Sequence, residues 1–378
     1  MNDRKCFELL DKALRDITNN HNRPFGGKSI LLGGDFRQTL PIKPKASKTE
    51  ILASCITRSY LWRFFKTFTL TRNMRLTDSG QDTSWFSKWL LDIGDGKIGH
   101  TKEHCTDAKI VEIPDQLLIQ PSKTALSELI SFVYTKEMLH SPTPTDIATR
   151  AIICPRNDTV DEINKLILNM SSDTLQTYLS TDSMIPHSKN GGVTDLMYPV
   201  DYLNLLNFPG IPNHSLTLKK NTPVMLLRNI DQKNGLCNGT RLLVSQLLPT
   251  VIEAHIITGT SINRRVYIPR ITFVHNNKEL PFIFKRRQFP LRPCYAMTIN
   301  KSQGQSLNRI GIYLRQPIFG HGQLYVALSR TTSPTGLKVL IEHEQYEKPN
   351  TIVNIVYSDY LHDIQIEQVV GLFVTLIF

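Results

Sequence analysis

The chain has 378 residues, 40% of them hydrophobic and 20% charged, and its 44 Lys and Arg outnumber 33 Asp and Glu to leave a net charge of +11. This composition excludes a disordered chain, and the length allows two or three domains. The cationic excess favours a polyanionic partner, nucleic acid before any other, over the plainer reading of a generally basic surface. The 6 cysteines (Cys6, Cys55, Cys105, Cys154, Cys237, Cys294) form no Cys-x-x-Cys pair. They read as thiols in a reducing compartment, not as a disulfide framework or a zinc module. His100, His104 and Cys105 are the one cluster with metal-site texture; lacking a second Cys pair, they give no expectation of a metal.

The N-terminus opens into a helix with no signal peptide before it. Phe7, Leu10, Leu14 and Ile17 recur at helical spacing over 3–18, with Asn2 or Asp3 as the cap. Gly26-Gly27-Lys28-Ser29 then imitates the end of a phosphate loop. The first glycine of such a loop would fall at Asn22, and the chain continues as a short apolar strand, Ser29–Leu32, where the loop needs a helix. Lys28 therefore reads as a solvated strand-entry lysine, and no Gly-x-x-x-x-Gly-Lys-Ser/Thr run occurs elsewhere. Helix is expected over Lys48–Phe65, strand over Thr67–Leu70, and helix over Trp85–Ile93, closed by Gly94-Asp95-Gly96. This alternation indicates an α/β layer structure with a parallel sheet.

Residues 97–147 form a polar boundary zone. A second α/β unit starts with strand Ala148–Cys154 and helix Val160–Met170. Beyond Pro209-Gly210-Ile211-Pro212 come five short strands, Thr217–Leu227, Thr240–Leu248, Val251–Thr258, Arg265–Ile268 and Pro281–Phe284, which suggest a small antiparallel barrel. Parallel texture returns from Ala296, with strand Arg309–Leu314, helix Gly322–Arg330 and strand Lys338–Glu342, so the barrel is an insertion. The apolar run Val369–Phe378 is shorter than the ~20 residues that span a bilayer, and no membrane association is expected. It reads either as a buried last strand or as sequence outside the fold.

Gly33-Gly34-Asp35-Phe36-Arg37-Gln38 sits at the carboxyl end of the first strand, where open α/β sheets bind nucleotides. The Gln38 amide both donates and accepts, which suits it to orient an attacking water; the alternative is a tight turn capped by Asp35. Arg75 follows the next strand and Arg330 ends a helix; each has the fork geometry that suits phosphate oxygens, and each also fits a plain surface role. Lys301-Ser302-Gln303-Gly304 offers a cation, a hydroxyl, an amide and a permissive glycine for a DNA phosphate. The run Lys285-Arg286-Arg287 is a further backbone-contact candidate. Phe289, Tyr295, Phe319 and Tyr325 are of the type that stacks bases, although such residues are more often core.

Taken together, Gly33–Pro41, Leu70–Leu76, Ile153–Asp158, Pro223–Asn229, Asn234–Leu242, Tyr295–Leu307 and Tyr325–Arg330 resemble the Pif-type helicases, superfamily-one DNA helicases, and most closely their Helitron-like branch. The resemblance runs over about residues 1–361 in the family's order. It implies two RecA-like (P-loop NTPase) parallel-sheet domains, the first incomplete, with the small antiparallel barrel inserted in the second. The expected boundaries are 1–118 for the first domain, 119–215 and 288–345 for the second, 216–287 for the insertion and 346–378 for a tail. It further implies 5′-to-3′ unwinding driven by ATP and Mg²⁺. Gln38, Arg75 and Arg330 would serve the γ-phosphate, with Gly34, Asp35 and Gly304 also near the nucleotide. Thr298, Asn300, Lys301, Ser302 and Gln303 would contact DNA.

The resemblance begins after the family's phosphate-loop lysine and its metal-binding Asp-Glu pair, so the sequence reads as a truncated gene model or transposon remnant. The expectation is that the chain alone does not hydrolyse ATP. Two further readings stand beside the motor: a DNA-binding remnant without catalysis, and a fragment whose exposed sheet edges drive aggregation. Single-stranded and duplex DNA are the expected partners of a monomer. The resemblance points to the nucleus, or alternatively the mitochondrion, in repair, recombination, telomere maintenance or transposition; no residue selects among these.

Overall fold

The computed structural model describes residues 2–70, 81–102, 105–186, 198–277, 280–342, 350–365 and 372–376. They divide into two units: one of Met1–Ser122, Ser302–Asn308 and Ile312–Phe378, the other of Lys123–Lys301 and Arg309–Gly311. The division departs from the expected boundaries, because residues 302–308 and 312–342 pack with the N-terminal segment. The reason is a set of side-chain contacts to the Gly-Gly-Asp loop, described below.

In the first unit the helix Arg4–Thr18 is capped by Asp3, whose carboxylate accepts from the Lys5 N–H. Its expected apolar face is only half used: Phe7 and Leu14 pack inward, while Leu10 and Ile17 are exposed. Asp11 is the helix's buried residue, held by the Phe25 N–H, the Tyr60 hydroxyl and Arg15. The expected Lys48–Phe65 helix stops at Ala53 and continues as short turns, Ile56–Arg58 and Trp62–Phe64. The Ser54 hydroxyl donates to Ile51 O and the Ser59 hydroxyl oxygen accepts from the Leu61 N–H, local bonds that compete with the helix.

Strands Leu31–Gly34 and Lys66–Leu70 point the same way but do not pair. Each instead pairs antiparallel with Leu372–Leu376, which lies between them. Residues 372–376 of the apolar C-terminal run are thus a strand of the fold, and this sheet is mixed where a parallel one was expected. Two parallel strands with a gap between them leave unpaired N–H and C=O groups, which the inserted strand satisfies. Leu118–Ile119 and Leu337–Ile341 form a parallel pair, and Thr351–Ile355, Cys105–Glu112 and His100–Lys102 form an antiparallel sheet. Phe36 and Leu40 pack on Cys55, Ile56, Val356 and Tyr360, fixing the loop that follows the first strand.

In the second unit, strand Arg150–Cys154 pairs in parallel with Ala296–Thr298, and helix Asn157–Met170 covers them. Buried Asn164 clamps the pairing: its amide donates to Pro293 O and Ala296 O and accepts from the Ala296 N–H. The insertion is antiparallel, as expected, but its strands are partitioned differently. Arg265–Pro269, Val251–Ile256, Arg241–Leu247, Pro223–Leu226 and Leu291–Pro293 form a five-stranded sheet in that order. The expected Thr217–Leu227 strand breaks at Asn221, which has a φ of 64°, and its first part, Ser215–Leu218, pairs with Gln176–Leu179. Phe282–Gln288 instead joins Ile271–His275 and Thr181–Pro186 in a separate three-stranded sheet. Strands from before residue 216 therefore belong to this antiparallel region. No described helix is long and apolar enough to cross a membrane.

Candidate functional site

The chain leaves strand Leu31–Gly34 into a loop whose polar residues are mostly buried: Asp35, Arg37 and Thr39 are each at most 6% exposed. Asp35 organises it. One carboxylate oxygen accepts from the Arg37 N–H at 3.1 Å, and the other accepts from the Tyr325 hydroxyl at 2.9 Å and, more distantly, from the Gln38 amide at 3.5 Å. Burial acts against the Arg37 cation, but the hydrogen bond and charge of Asp95, then the charge of Asp35, outweigh it and hold Arg37 above its ordinary value. Burial, with the neighbouring Asp35 carboxylate, pushes the Tyr325 phenol well up, so it stays a donor.

A residue far away in sequence completes the cluster. Gln303 donates from Nε2 to Gln38 Oε1 at 2.9 Å and accepts from the Thr39 hydroxyl at 2.8 Å. These bonds fix both ends of the Gln38 amide, the oxygen toward Gln303 and the nitrogen toward Asp35. The Gly-Gly-Asp loop and the Lys-Ser-Gln-Gly loop, 264 residues apart at Thr39 and Gln303, therefore meet through amides and a hydroxyl, which rotate or exchange partners at low cost.

His321 fixes the loop from behind. The Tyr357 N–H donates to its Nδ1 at 3.0 Å, so Nε2 carries the proton and donates to Phe36 O at 3.0 Å. Burial lowers its pKa; the Phe36 carbonyl, Asp107 and Asp35 act in the opposite direction, and Lys48 adds to the lowering. The folded protein thus favours neutral His321 more than the unfolded chain does. Its contribution is complete above about pH 6.5, the unfolded value, and is lost as the pH falls through the lower folded one. The urea midpoint is expected to drop between neutral pH and pH ~5, and the drop to shrink in His321→Asn. An equal drop in both proteins would remove His321 as the cause.

The other expected site residues are placed as follows. Gly34 and Gly304 are exposed, and Gly304 has a φ of 81° that suits glycine. Ser302 is fully buried. The guanidinium of Arg330, 6% exposed, is turned onto protein acceptors: Val326 O, Gln305 O and the Ser329 hydroxyl. In this arrangement it staples residues 302–308 to the helix Gln323–Leu328. Arg75 and His104 lie outside the described residues. In the second unit, Thr298 ends its strand, Lys301 donates to Asn238 Oδ1 at 3.0 Å, and Asn300 Oδ1 is buried without a hydrogen bond.

Three expectations are corrected. Arg286 is fully buried and forked onto Asp182, so it is withdrawn from any DNA contact, whereas Lys285 and Arg287 point outward. Phe289 and Tyr295 are core, packed on Tyr178 and Tyr134, and cannot stack bases. Tyr325 is engaged by Asp35, and Phe319 alone of the four aromatics is exposed. Arg37, Thr39, Asp95 and His321 escaped the sequence reading; only the Gly-Asp-Gly turn at Asp95 offered a signal. Among the described residues no three His, Cys, Asp or Glu side chains gather as metal ligands.

The family profile for PIF1-like helicases matches residues 1–104, and that for the 2B domain of the DNA helicase Pif1 matches residues 201–247. The ATP-dependent DNA helicase PIF1 of Rattus norvegicus is 36% identical over 342 residues, covering 88% of this chain and 44% of the rat protein. That of Danio rerio is 27% identical over 372 residues, covering 95% and 47%. The chain thus spans less than half the length of these relatives. A Bacteroides Pif1 helicase solved with ADP-AlF3 and single-stranded DNA superposes with a TM-score of 0.62 at 21% identity, over 97% of this chain and 72% of that one. A Candida albicans Pif1 gives a TM-score of 0.55 at 21% identity, over 97% and 74%. The fold is that of the RecA-like helicases. The chain belongs to the PIF1-like helicase family.

Proposed function

We propose that this chain is motor sequence of an ATP-dependent 5′-to-3′ DNA helicase, and that the 378 residues alone grip single-stranded DNA without hydrolysing ATP. The observation that carries the reading is the Gln38–Gln303 contact, which joins a nucleotide-edge loop to a loop with phosphate-binding character. A change at one amide is transmitted to the other, as a motor coupling two ligands requires. The silent nucleotide site is supported by the lack of a Gly-x-x-x-x-Gly-Lys-Ser/Thr run within these 378 residues. The compartment we infer, from the family resemblance alone, is the nucleus, or alternatively the mitochondrion.

The test is anisotropy of a labelled single strand against salt, with and without ATP and Mg²⁺, together with phosphate release. Affinity is expected to fall steeply with salt, since each phosphate contact on a single strand contributes about 0.7 to the logarithmic slope. ATP is expected to leave binding unchanged, with no turnover. Turnover, or binding that shifts with ATP, would show a working nucleotide site. Weak, salt-independent binding would end the DNA reading.

A further inference from the structure

The sheet of Thr181–Pro186, Ile271–His275 and Phe282–Gln288 has one face in a core of Leu203, Phe273, Phe282 and Phe284 and the other toward solvent. Its register sets Arg287 beside Thr181 and Thr272, and Lys285 beside Ser183 and Val274. Exposure alternates to match: Phe284, Arg286 and Gln288 are buried, while Arg287 is exposed and Lys285 half-buried. The outward row therefore presents two cations flanked by three hydroxyls; its remaining positions are aliphatic, and it carries no carboxylate and no aromatic ring. At the rim, Arg270 precedes the Ile271–Gln288 pair and donates to Leu179 O and Gln288 Oε1.

Like charges gathered without an acid on the same face are unfavourable until an anion joins them. Lys285 and Arg287 are two residues apart on one strand, hence about 6.7 Å, which spans two charges of a duplex strand at roughly 3.4 Å each. Hydroxyls beside them donate to phosphate oxygens. With no aromatic ring, the face cannot stack splayed bases, which is how single strands are held. We propose that this face docks the sugar–phosphate backbone of duplex DNA, without sequence preference. The inference rests on the DNA reading above and adds to it a second surface for the paired form.

The test uses the full chain and its Lys285→Ala/Arg287→Ala variant, with a short blunt duplex and an oligothymidine strand titrated between about 50 and 200 mM salt. In the variant the logarithmic salt slope for duplex is expected to become shallower by about 2, one for each phosphate contact removed, with single-strand binding unchanged. Thr272→Asp, which keeps both cations and adds an anion beside Arg287, is expected to weaken duplex binding as well. An unchanged duplex slope, an equal loss on both DNAs, or a parent chain that binds no duplex would overturn the proposal. Failure of the parent to bind the single strand would instead count against the functional reading.

Discussion

Arg286→Ala is expected to destabilise the protein by about 3–5 kcal/mol, a large share of the ~5–15 kcal/mol that holds a typical domain. Arg286 and Asp182 are both 0% exposed at the side chain, and the guanidinium meets the carboxylate at 2.7, 2.9 and 3.1 Å. Its remaining donors reach Pro212 O and Leu203 O, tying the helix and loop before the insertion to the sheet. Truncation leaves a buried carboxylate with, among the described residues, the Ser180 hydroxyl and His214 beside it, and it also orphans those carbonyls. Most of the loss is the cost of the stranded charge, not the worth of the pair. Arg286→Ala/Asp182→Leu is therefore expected to recover part of it, and Arg286→Lys to fall between. Urea unfolding followed by circular dichroism reads all three; a shift below ~1 kcal/mol for the alanine variant would mean the pair is not buried.

Gly322→Ala is expected to cost about 3 kcal/mol, opposite in sign to the usual gain when a helical glycine is replaced by alanine. Gly322 starts the helix that carries Tyr325, with a φ of 69°. Left-handed backbone costs a residue with a Cβ about 1–2 kcal/mol. That Cβ would also stand 2.2 Å from Arg37 O and 2.8 Å from the Gln38 carbonyl carbon. Backbone atoms cannot swing aside as a side chain does, so the loop itself must shift, at a further ~1–3 kcal/mol. The shift should loosen Asp35 from Tyr325 and speed hydrogen exchange across residues 35–40. Unchanged stability together with unchanged exchange would show that the loop does not rest on this helix start.

The local motifs were legible because their chemistry lies in adjacent residues. Gly33-Gly34-Asp35 ends a strand, and the permissive glycines and the buried aspartate are consecutive. Arg286 shows where such reading fails. Three consecutive cations look equivalent, yet Phe282 and Phe284 set the phase of a two-residue repeat and carry Arg286 into the core with them. That signal was present but was outweighed by charge. The Lys48–Phe65 helix failed differently: its apolar spacing is helical, but Ser54 and Ser59 bond locally and break it.

What the sequence determined by itself was the family's motif order, the antiparallel insertion and the residue types of the loop after the first strand, all properties carried within short windows. Only the tertiary structure decided which of those residues meet. The Gln38–Gln303 amide pair, the Tyr325–Asp35 bond and the His321 bridge join positions 265, 290 and 285 residues apart. Their geometry follows from strand register and helix placement, which depend on burial summed over the whole chain. The same holds for the strand Leu372–Leu376, an apolar run of undecided fate until two parallel strands with unpaired backbone gave it a place.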